Sequence, residues 1–404
     1  MKFLPVDEQL QVIRRGATEI ISEDELADRL NRSRKSGRPL KIKLGCDPTR
    51  PDLHLGHSVI LRKLRQFQDL GHQAILIIGD FTARIGDPSG QNKTRPPLSA
   101  KEIEDNAKTY LDQAGKVLDR EKLEIVYNSD WLAEMKFDDV IRLSSRLTVA
   151  RMIERDDFSR RFERNEPISL HEFLYPLAQG QDSVHLESDV ELGGTDQKFN
   201  LLVGRQLQQQ DGQSPQVCLM TPLLVGTDGE KKMSKSYDNY IGINEDPNNM
   251  YGKVLRITDH QIYPWFELLT DLDSDQLKEM KAKVKADPRN TKHELARTIT
   301  AIYHGDEAAE KARQHFEQTV IRKEVPDDAM ELSYEAGTTH RLLDIIAEAG
   351  LTSSNGETKR LMKQGGVSLD ENKVTDKGYE ITFEAGQKLH LKVGKRKFAV
   401  LKAE

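Results

Sequence analysis

From residue 40 to 46 the chain reads Leu-Lys-Ile-Lys-Leu-Gly-Cys, apolar and polar in alternation, the two-residue period of a strand. Turn-forming residues follow at Asp47-Pro48-Thr49-Arg50-Pro51-Asp52. Val59, Ile60, Leu64, Phe67 and Leu70 then recur at helical spacing until Gly71 ends the pattern. Residues 74–79, Ala-Ile-Leu-Ile-Ile-Gly, are apolar on both faces, as in a buried parallel strand. Strand, loop, helix and strand in this order predict a right-handed crossover unit. A helix over 101–118 and a strand over 123–127 repeat the order, with Ser129 or Asp130 as cap of the next helix. The fold class is therefore α/β, a doubly wound parallel sheet of Rossmann type.

The flanking regions differ. Residues 1–37 read as helical, with Ser22 and Glu25 spaced as a capping box. Residues 131–165 are helical and rich in charge (Arg151, Glu154, Arg155, Asp156, Asp157, Arg160, Arg161), a pattern of solvated faces that also suits a subunit contact. Residues 217–225 read as a further strand. From 241 to 330 helical periodicity dominates: Trp265, Leu268, Leu269 and Leu272 form a core-packing stripe, Pro247, Pro264, Pro288 and Pro326 stand near boundaries, and 327–338 suits a linker. From His340 onward an amphipathic helix ends at Gly350, a second begins near Ser353, and short strands follow. The chain thus divides into residues 1–225, 226–335 and 340–404.

Charge changes the picture of the tail. The whole chain carries 60 Lys+Arg against 66 Asp+Glu, a net −6, which excludes a wholly basic nucleic-acid coat. The tail from His340 has 12 Lys+Arg and 9 Asp+Glu, so it is basic within an acidic protein. Lys359, Arg360 and Lys363 on its second helix, with Lys395 and Arg396 in its strands, suit an RNA phosphate track. Two cysteines, Cys46 and Cys218, give no disulfide framework, and no apolar run approaches a membrane span of about 18 residues. The first residues carry acids early and read as no signal peptide, so a cytoplasmic location is expected.

The candidate chemistry lies on the loops. His54-Leu55-Gly56-His57 opens the first crossover helix, where free N–H groups and the positive helix end favour phosphate. Two imidazole donors there suit a phosphoryl group gaining charge. Zinc would need further ligands, and both cysteines are distant in sequence, so no structural metal is expected. Lys231-Lys232-Met233-Ser234-Lys235-Ser236 suits a flexible clamp on polyphosphate. Asp87, in Gly86-Asp87-Pro88-Ser89-Gly90, follows a strand's carboxyl end: a plain turn, or a carboxylate for an ammonium group. Tyr175, Gln179 and Asp182 share one helical stripe that either faces solvent or lines a wet pocket. In Gly193-Gly194-Thr195-Asp196-Gln197 the glycines admit close backbone approach, and Asp196 could accept from ribose hydroxyls.

His54-Leu55-Gly56-His57 and Lys232-Met233-Ser234-Lys235-Ser236 resemble the two signatures of the class I aminoacyl-tRNA synthetases. With Asp47-Pro48-Thr49, Gly86-Asp87-Pro88-Ser89-Gly90, the Tyr175/Gln179/Asp182 stripe and Gly194-Thr195-Asp196-Gln197 in order, the whole chain resembles the bacterial tyrosyl members of that class. The tail resembles the small RNA-binding module named for ribosomal protein S-four.

The resemblance implies the roles. Tyr175, Gln179 and Asp87 hold the ammonium of tyrosine, Asp182 accepts from its phenol, and Gln197 approaches its carboxylate. Gly194 and Asp196 hold the ATP ribose, with Asp47 and Gly56 in the nucleotide set. Thr49, His54 and His57 stabilise the α-phosphate region, and Lys232, Lys235 and Ser236 the leaving pyrophosphate. ATP with Mg2+, tyrosine and tRNA(Tyr) are the implied partners, 226–335 the anticodon-recognition part, and a homodimer the implied assembly. Two positions depart: Lys43 stands where many members have a tyrosine touching the substrate hydroxyl, and Gln91 where some have a lysine. A tryptophanyl enzyme, a small-molecule adenylating ligase and a non-catalytic RNA-binding relative are the competing readings.

Overall fold

A computed structural model describes residues 3–49, 52–87, 99–322, 329–370, 372–394 and 397–404. Gln91, Pro88 to Gly90, Lys395 and Arg396 therefore lie outside the described residues. The chain divides into two compact units, one ending at Tyr303 and one running from His304 to Glu404.

The first unit is built on six strands: β1 (Glu19–Ile21), β2 (Lys41–Cys46), β3 (Gln73–Ile78), β4 (Leu123–Tyr127), β5 (Val190–Gly194) and β6 (Val217–Thr221). Their spatial order is β1-β6-β5-β2-β3-β4. All neighbours are parallel except β1 and β6. The crossover between β2 and β3 is helix α1 (Leu55–Asp69), which turns Val59, Leu61, Leu64 and Phe67 into the core. In β3 the run Ala74 to Ile78 is buried on both faces, as its unbroken apolar sequence requires. Two further helices carry the site: α2 (Leu174–Leu186) and α3 (Lys198–Gln210) pack on each other beside β5. The helices Pro247–Val254, Asp259–Leu269 and Ser274–Ala286 belong to this unit too, and Trp265 and Leu269 are buried as their stripe predicts.

The described structure departs from the pattern in several places. Residues 1–37 hold strand β1 as well as helices, because Glu19 to Ile21 pair with Met220 to Cys218. The expected strand over 217–225 stops at Thr221. Asn128, not Ser129 or Asp130, stands before the helix Ser129–Leu132, and it makes no side-chain cap because its side chain donates to Thr82 and Asp182 instead. Pro264 sits inside Asp259–Leu269 rather than at a boundary. The charges of 131–165 are not all solvated: Arg155, Asp157 and Arg161 are buried. Burial is tolerated because each finds a partner, Arg155 on Asp157 at 2.6 and 3.0 Å and Arg161 on Glu172.

In the second unit, strands β7 (Met330–Tyr334), β8 (Thr339–Arg341), β9 (Val367–Leu369), β10 (Asn372–Lys373), β11 (Glu380–Thr382), β12 (Lys388–Val393) and β13 (Lys397–Ala403) form a five-stranded sheet, β10-β9-β12-β13-β7, and a β11-β8 pair. β7 lies within the stretch expected as linker, where it pairs in parallel with β13. Helices α4 (Leu342–Glu348) and α5 (Asn355–Lys363) cover a core of Leu342, Ile346, Met362, Phe383, Leu391 and Leu401. Lys359, Arg360 and Lys363 stay exposed on α5. Among the described residues no helix is long and apolar enough to cross a membrane.

Candidate active site

The strand order reverses between β2 and β5: the chain winds outward through β3 and β4, then returns through β5 and β6 on the other side. Crevices form at the carboxyl ends of strands flanking such a reversal. A cleft of about 380 Å3 opens there, lined among others by Gly45, Asp47, Gly79, Gly193, Gly194 and Thr221. Gly79 is required by close approach, and Gly194 is crowded more mildly. A Cβ on Gly79 would lie 1.9 Å from Asp47 Oδ1, and one on Gly194 2.8 Å from Asp196 Oδ1.

At one end stand the histidines. His54 caps α1: its Nδ1 accepts from the Gly56 N–H at 3.1 Å, while His57 Nδ1 accepts from the His54 N–H at 3.2 Å. The two rings lie 3.9 Å apart. Because each Nδ1 is an acceptor, a neutral ring carries its proton on Nε2. His54 thus keeps an N–H donor beyond its capping bond. Gly56 has an immediate steric reason as well, since a Cβ there would meet the His54 ring at 2.9 Å.

The lysine stretch is a hairpin rather than a loose loop. Val225 and Lys232 form an antiparallel bridge, Met233 N–H donates to Leu224 O at 2.7 Å, and Gly229 makes the turn at φ +79°. Asn239, buried, braces it by donating to the Lys231 and Lys232 carbonyls and accepting from the Ser234 N–H. The chain beyond then returns to α1. Leu55 N–H donates to Ile241 O at 3.0 Å, Ile243 N–H to Leu53 O at 3.0 Å, and His54 bridges Gly242. The two signature segments therefore meet over one cleft, with His54, His57, Lys232, Lys235 and Ser236 all on its wall. Lys232 Nζ rests on Asp196 at 3.0 Å and Lys235 Nζ on Asp52 at 3.4 Å. Thr49 lines the same region.

The other end holds the α2 stripe, which lines the cleft and does not face solvent. Tyr175 donates its hydroxyl to Asp47 Oδ2 at 2.8 Å, and Thr82 donates to Asp47 Oδ1 at 2.7 Å. Asp47, read with the nucleotide set, thus stands against the stripe. Burial and the nearby carboxylates Asp47 and Asp87 push the Tyr175 phenol well above its ordinary range, so it stays protonated. Asp182 accepts from Trp131 Nε1 at 2.9 Å and Asn128 Nδ2 at 3.3 Å. Burial raises its carboxyl to about 7, against the pull of Lys43 and these two donors. Gln179, Gln197 and Asp87 complete this end. Lys43 does not line the cleft: it is fully buried and its Nζ lies 3.2 Å from Glu191.

Asn128, Trp131 and Thr82 were not singled out in the sequence. The signal for Asn128 and Thr82 is position alone, just past the carboxyl ends of β4 and β3. Trp131 shares that position, four residues past β4, and is held by stacking on His185 at 4.3 Å.

Burial, His57 and Lys235 push His54 down to about 2. An unfolded imidazole titrates near ~6.5. The stability due to this neutral ring is therefore complete above that value and is lost as pH falls toward the folded one. A His54→Asn variant keeps a capping side chain and removes the titration. Urea denaturation should show the wild type losing more stability than the variant between pH 7.5 and 5; parallel losses would contradict the assignment.

Residues 35–320 match the family described as tRNA synthetases class I (W and Y). Tyrosine--tRNA ligase of Salinibacter ruber is 56% identical over 401 residues, covering 99% of this chain and 97% of that one. The same-named protein of Thermotoga maritima is 51% identical over 397 residues, covering 97% and 96%. Among solved structures, a tyrosyl-tRNA synthetase complexed with L-tyrosine from Archaeoglobus fulgidus has a TM-score of 0.63 at 24% identity, over 76% of this chain and all of that one. At that identity the likeness speaks for the fold alone. With a family match over most of its length and relatives above half identity from end to end, the chain belongs to the class I tRNA synthetases, among the tyrosine--tRNA ligases.

Proposed function

We propose that the cleft makes tyrosyl-AMP and then tyrosyl-tRNA(Tyr), with roles divided along its length. The observation that carries the reading is the seam of backbone hydrogen bonds joining 53–55 to 241–243, which puts both signatures at one end of a cleft whose other end is the α2 stripe. In the first step a tyrosine carboxylate oxygen attacks the α-phosphorus of ATP, and the bond to the β-phosphate oxygen breaks. A carboxylate needs no base, so positioning and charge stabilisation supply the rate. In the second step a ribose hydroxyl of the tRNA's 3′-terminal adenosine attacks the tyrosyl carbonyl and AMP leaves.

Tyr175, Gln179 and Asp87 hold the ammonium, Gln197 approaches the carboxylate, and Asp182 accepts from the phenol. A site built to pair with a hydroxyl rejects an analogue lacking one, and the tyrosyl enzymes are themselves the familiar example of this asymmetry. Gly194, Asp196 and the Gly56 backbone take the ribose side of ATP. Thr49, His54 and His57 meet the α-phosphate, and Lys232, Lys235 and Ser236 the pyrophosphate. Mg2+ would come with the triphosphate and supply charge neutralisation there, without a set of protein ligands of its own. Asp52 and Asp196, carboxylates at that end, rest on lysines, and among the described residues no cluster of acids, histidines or cysteines forms a cage for the ion.

Residues 226–335 are assigned to the signature hairpin and anticodon recognition, and 340–404 to RNA binding. The reaction is placed in the cytoplasm. A homodimer is supported by exposed apolar side chains on one run of the chain: Phe137, Ile141, Val149, Phe162 and Leu170.

Pyrophosphate exchange should depend on tyrosine and not on tryptophan or phenylalanine; exchange with another amino acid would overturn the reading. His54→Ala should lower the exchange rate about 100-fold through one lost transition-state donor. An unchanged rate would remove His54 from the mechanism. Reversing Lys359, Arg360 and Lys363 to Glu should weaken tRNA binding and flatten its salt dependence while exchange is spared. For assembly, Leu170→Asp should shift the mass measured by light scattering from dimer to monomer.

A further inference from the structure

At the amino-acid end of the cleft, the lining amides Gln179 and Gln197 are joined by a third, Asn200, which with Glu191 and Arg155 stands behind the wall. Gln179 Nε2 donates to Glu191 Oε1 at 3.1 Å. Gln179 Oε1 accepts from Asn200 Nδ2 at 3.0 Å, and the same nitrogen donates to Gln197 Oε1 at 3.0 Å. Gln197 Nε2 then donates to Asp87 Oδ2 at 2.9 Å. Asn200 Oδ1 accepts from Arg155 Nη1 at 3.2 Å, and Arg155 Nη2 lies 3.9 Å from Asp87.

An amide can flip, exchanging donor for acceptor, unless its partners forbid it. Here they do. A carboxylate only accepts and a guanidinium only donates. Glu191 forms a buried pair with Lys43 at 3.2 Å, and accepts also from Ser183 and Gln216. Lys43 Nζ in turn donates to Ser183 Oγ at 2.6 Å and to the Gln179 carbonyl at 3.1 Å, so it fixes the α2 backbone at that residue too. Arg155 is locked by Asp157. With Glu191 at one anchor and Arg155 at another, each amide has one allowed orientation. Gln179 and Gln197 must both turn N–H toward an acid, and each nitrogen carries a second hydrogen.

We propose that Lys43, Glu191, Asn200 and Arg155 are positioning residues for the amino acid: the charged anchors set the polarity of the relay, so that Gln197 offers N–H to the substrate carboxylate and Asp87 keeps its carboxylate toward the ammonium. This rests on the proposed tyrosine site. It also gives Lys43 a role without contact to the phenol. The ion pair is kept for orientation, since a buried pair by itself is weak support for stability.

The test is tyrosine-dependent pyrophosphate exchange on the full chain, with thermal melting alongside. Asn200→Ala removes the link and leaves the ion pair; it should raise KM for tyrosine about ten-fold or more, the loss expected for one hydrogen bond in a charged network, with kcat and KM for ATP within about three-fold. The double variant Lys43→Met/Glu191→Met fills the same space without charge. It should melt near the wild type yet keep the raised KM for tyrosine. Recovery of that KM together with the melting temperature would make the pair merely structural and overturn the proposal. An unchanged KM in Asn200→Ala would overturn it as well. Asp87→Asn separates the two levels: if it too leaves KM for tyrosine unchanged, the tyrosine site itself is misplaced, whereas a raised KM in Asp87→Asn alone condemns only the relay.

Discussion

The geometry of the cleft depends on a few backbone hydrogen bonds between segments nearly two hundred residues apart. Leu55 to Ile241 and Ile243 to Leu53 fasten the start of α1 to the chain that leaves the lysine hairpin. Main-chain bonds fix position whatever the side chains, so the histidines and lysines share one frame. His54 is bound into that frame three times, as cap of α1, as neighbour of His57 and through its bridge to Gly242. A residue so constrained presents its remaining N–H in one direction, which is what charge stabilisation at a developing oxyanion requires.

The parallel sheet was legible from sequence because its signal is local. The alternation over 40–46 and the apolar run over 74–79 report burial of each face directly, and both strands lie where those patterns put them. The signature residues were legible because they stand in contiguous runs. What was not legible depends on distant partners. Lys43 reads as one polar position of an alternating strand, and nothing nearby announces Glu191 as its counter-charge. Arg155, Asp157 and Arg161 look like any solvated charge run until the acids that hold them are seen. β1 and β7 are short strands whose sequences carry too little periodicity to stand out, and only pairing at a sheet edge defines them.

The amino-acid end is polar in a way that hydrophobic patterning does not reveal. Tyr175, Asp47, Thr82, Asn128, Asp182 and Trp131 form one connected set of hydrogen bonds. Buried polar groups so satisfied specify a single arrangement, because any alternative leaves a donor or acceptor stranded. The same economy explains Gly79: where a carboxylate held by two hydroxyls crowds the backbone, no side chain fits.

The lysines of the hairpin have a further consequence. Lys232 and Lys235 are already neutralised by Asp196 and Asp52 before any polyphosphate arrives. These acids act as resident counter-ions. On the proposed reading, an incoming triphosphate displaces them, and after the α-phosphorus bond is cut they are at hand to take back the same ammonium groups. On that reading, acids already beside the lysines favour release of the diphosphate over its retention.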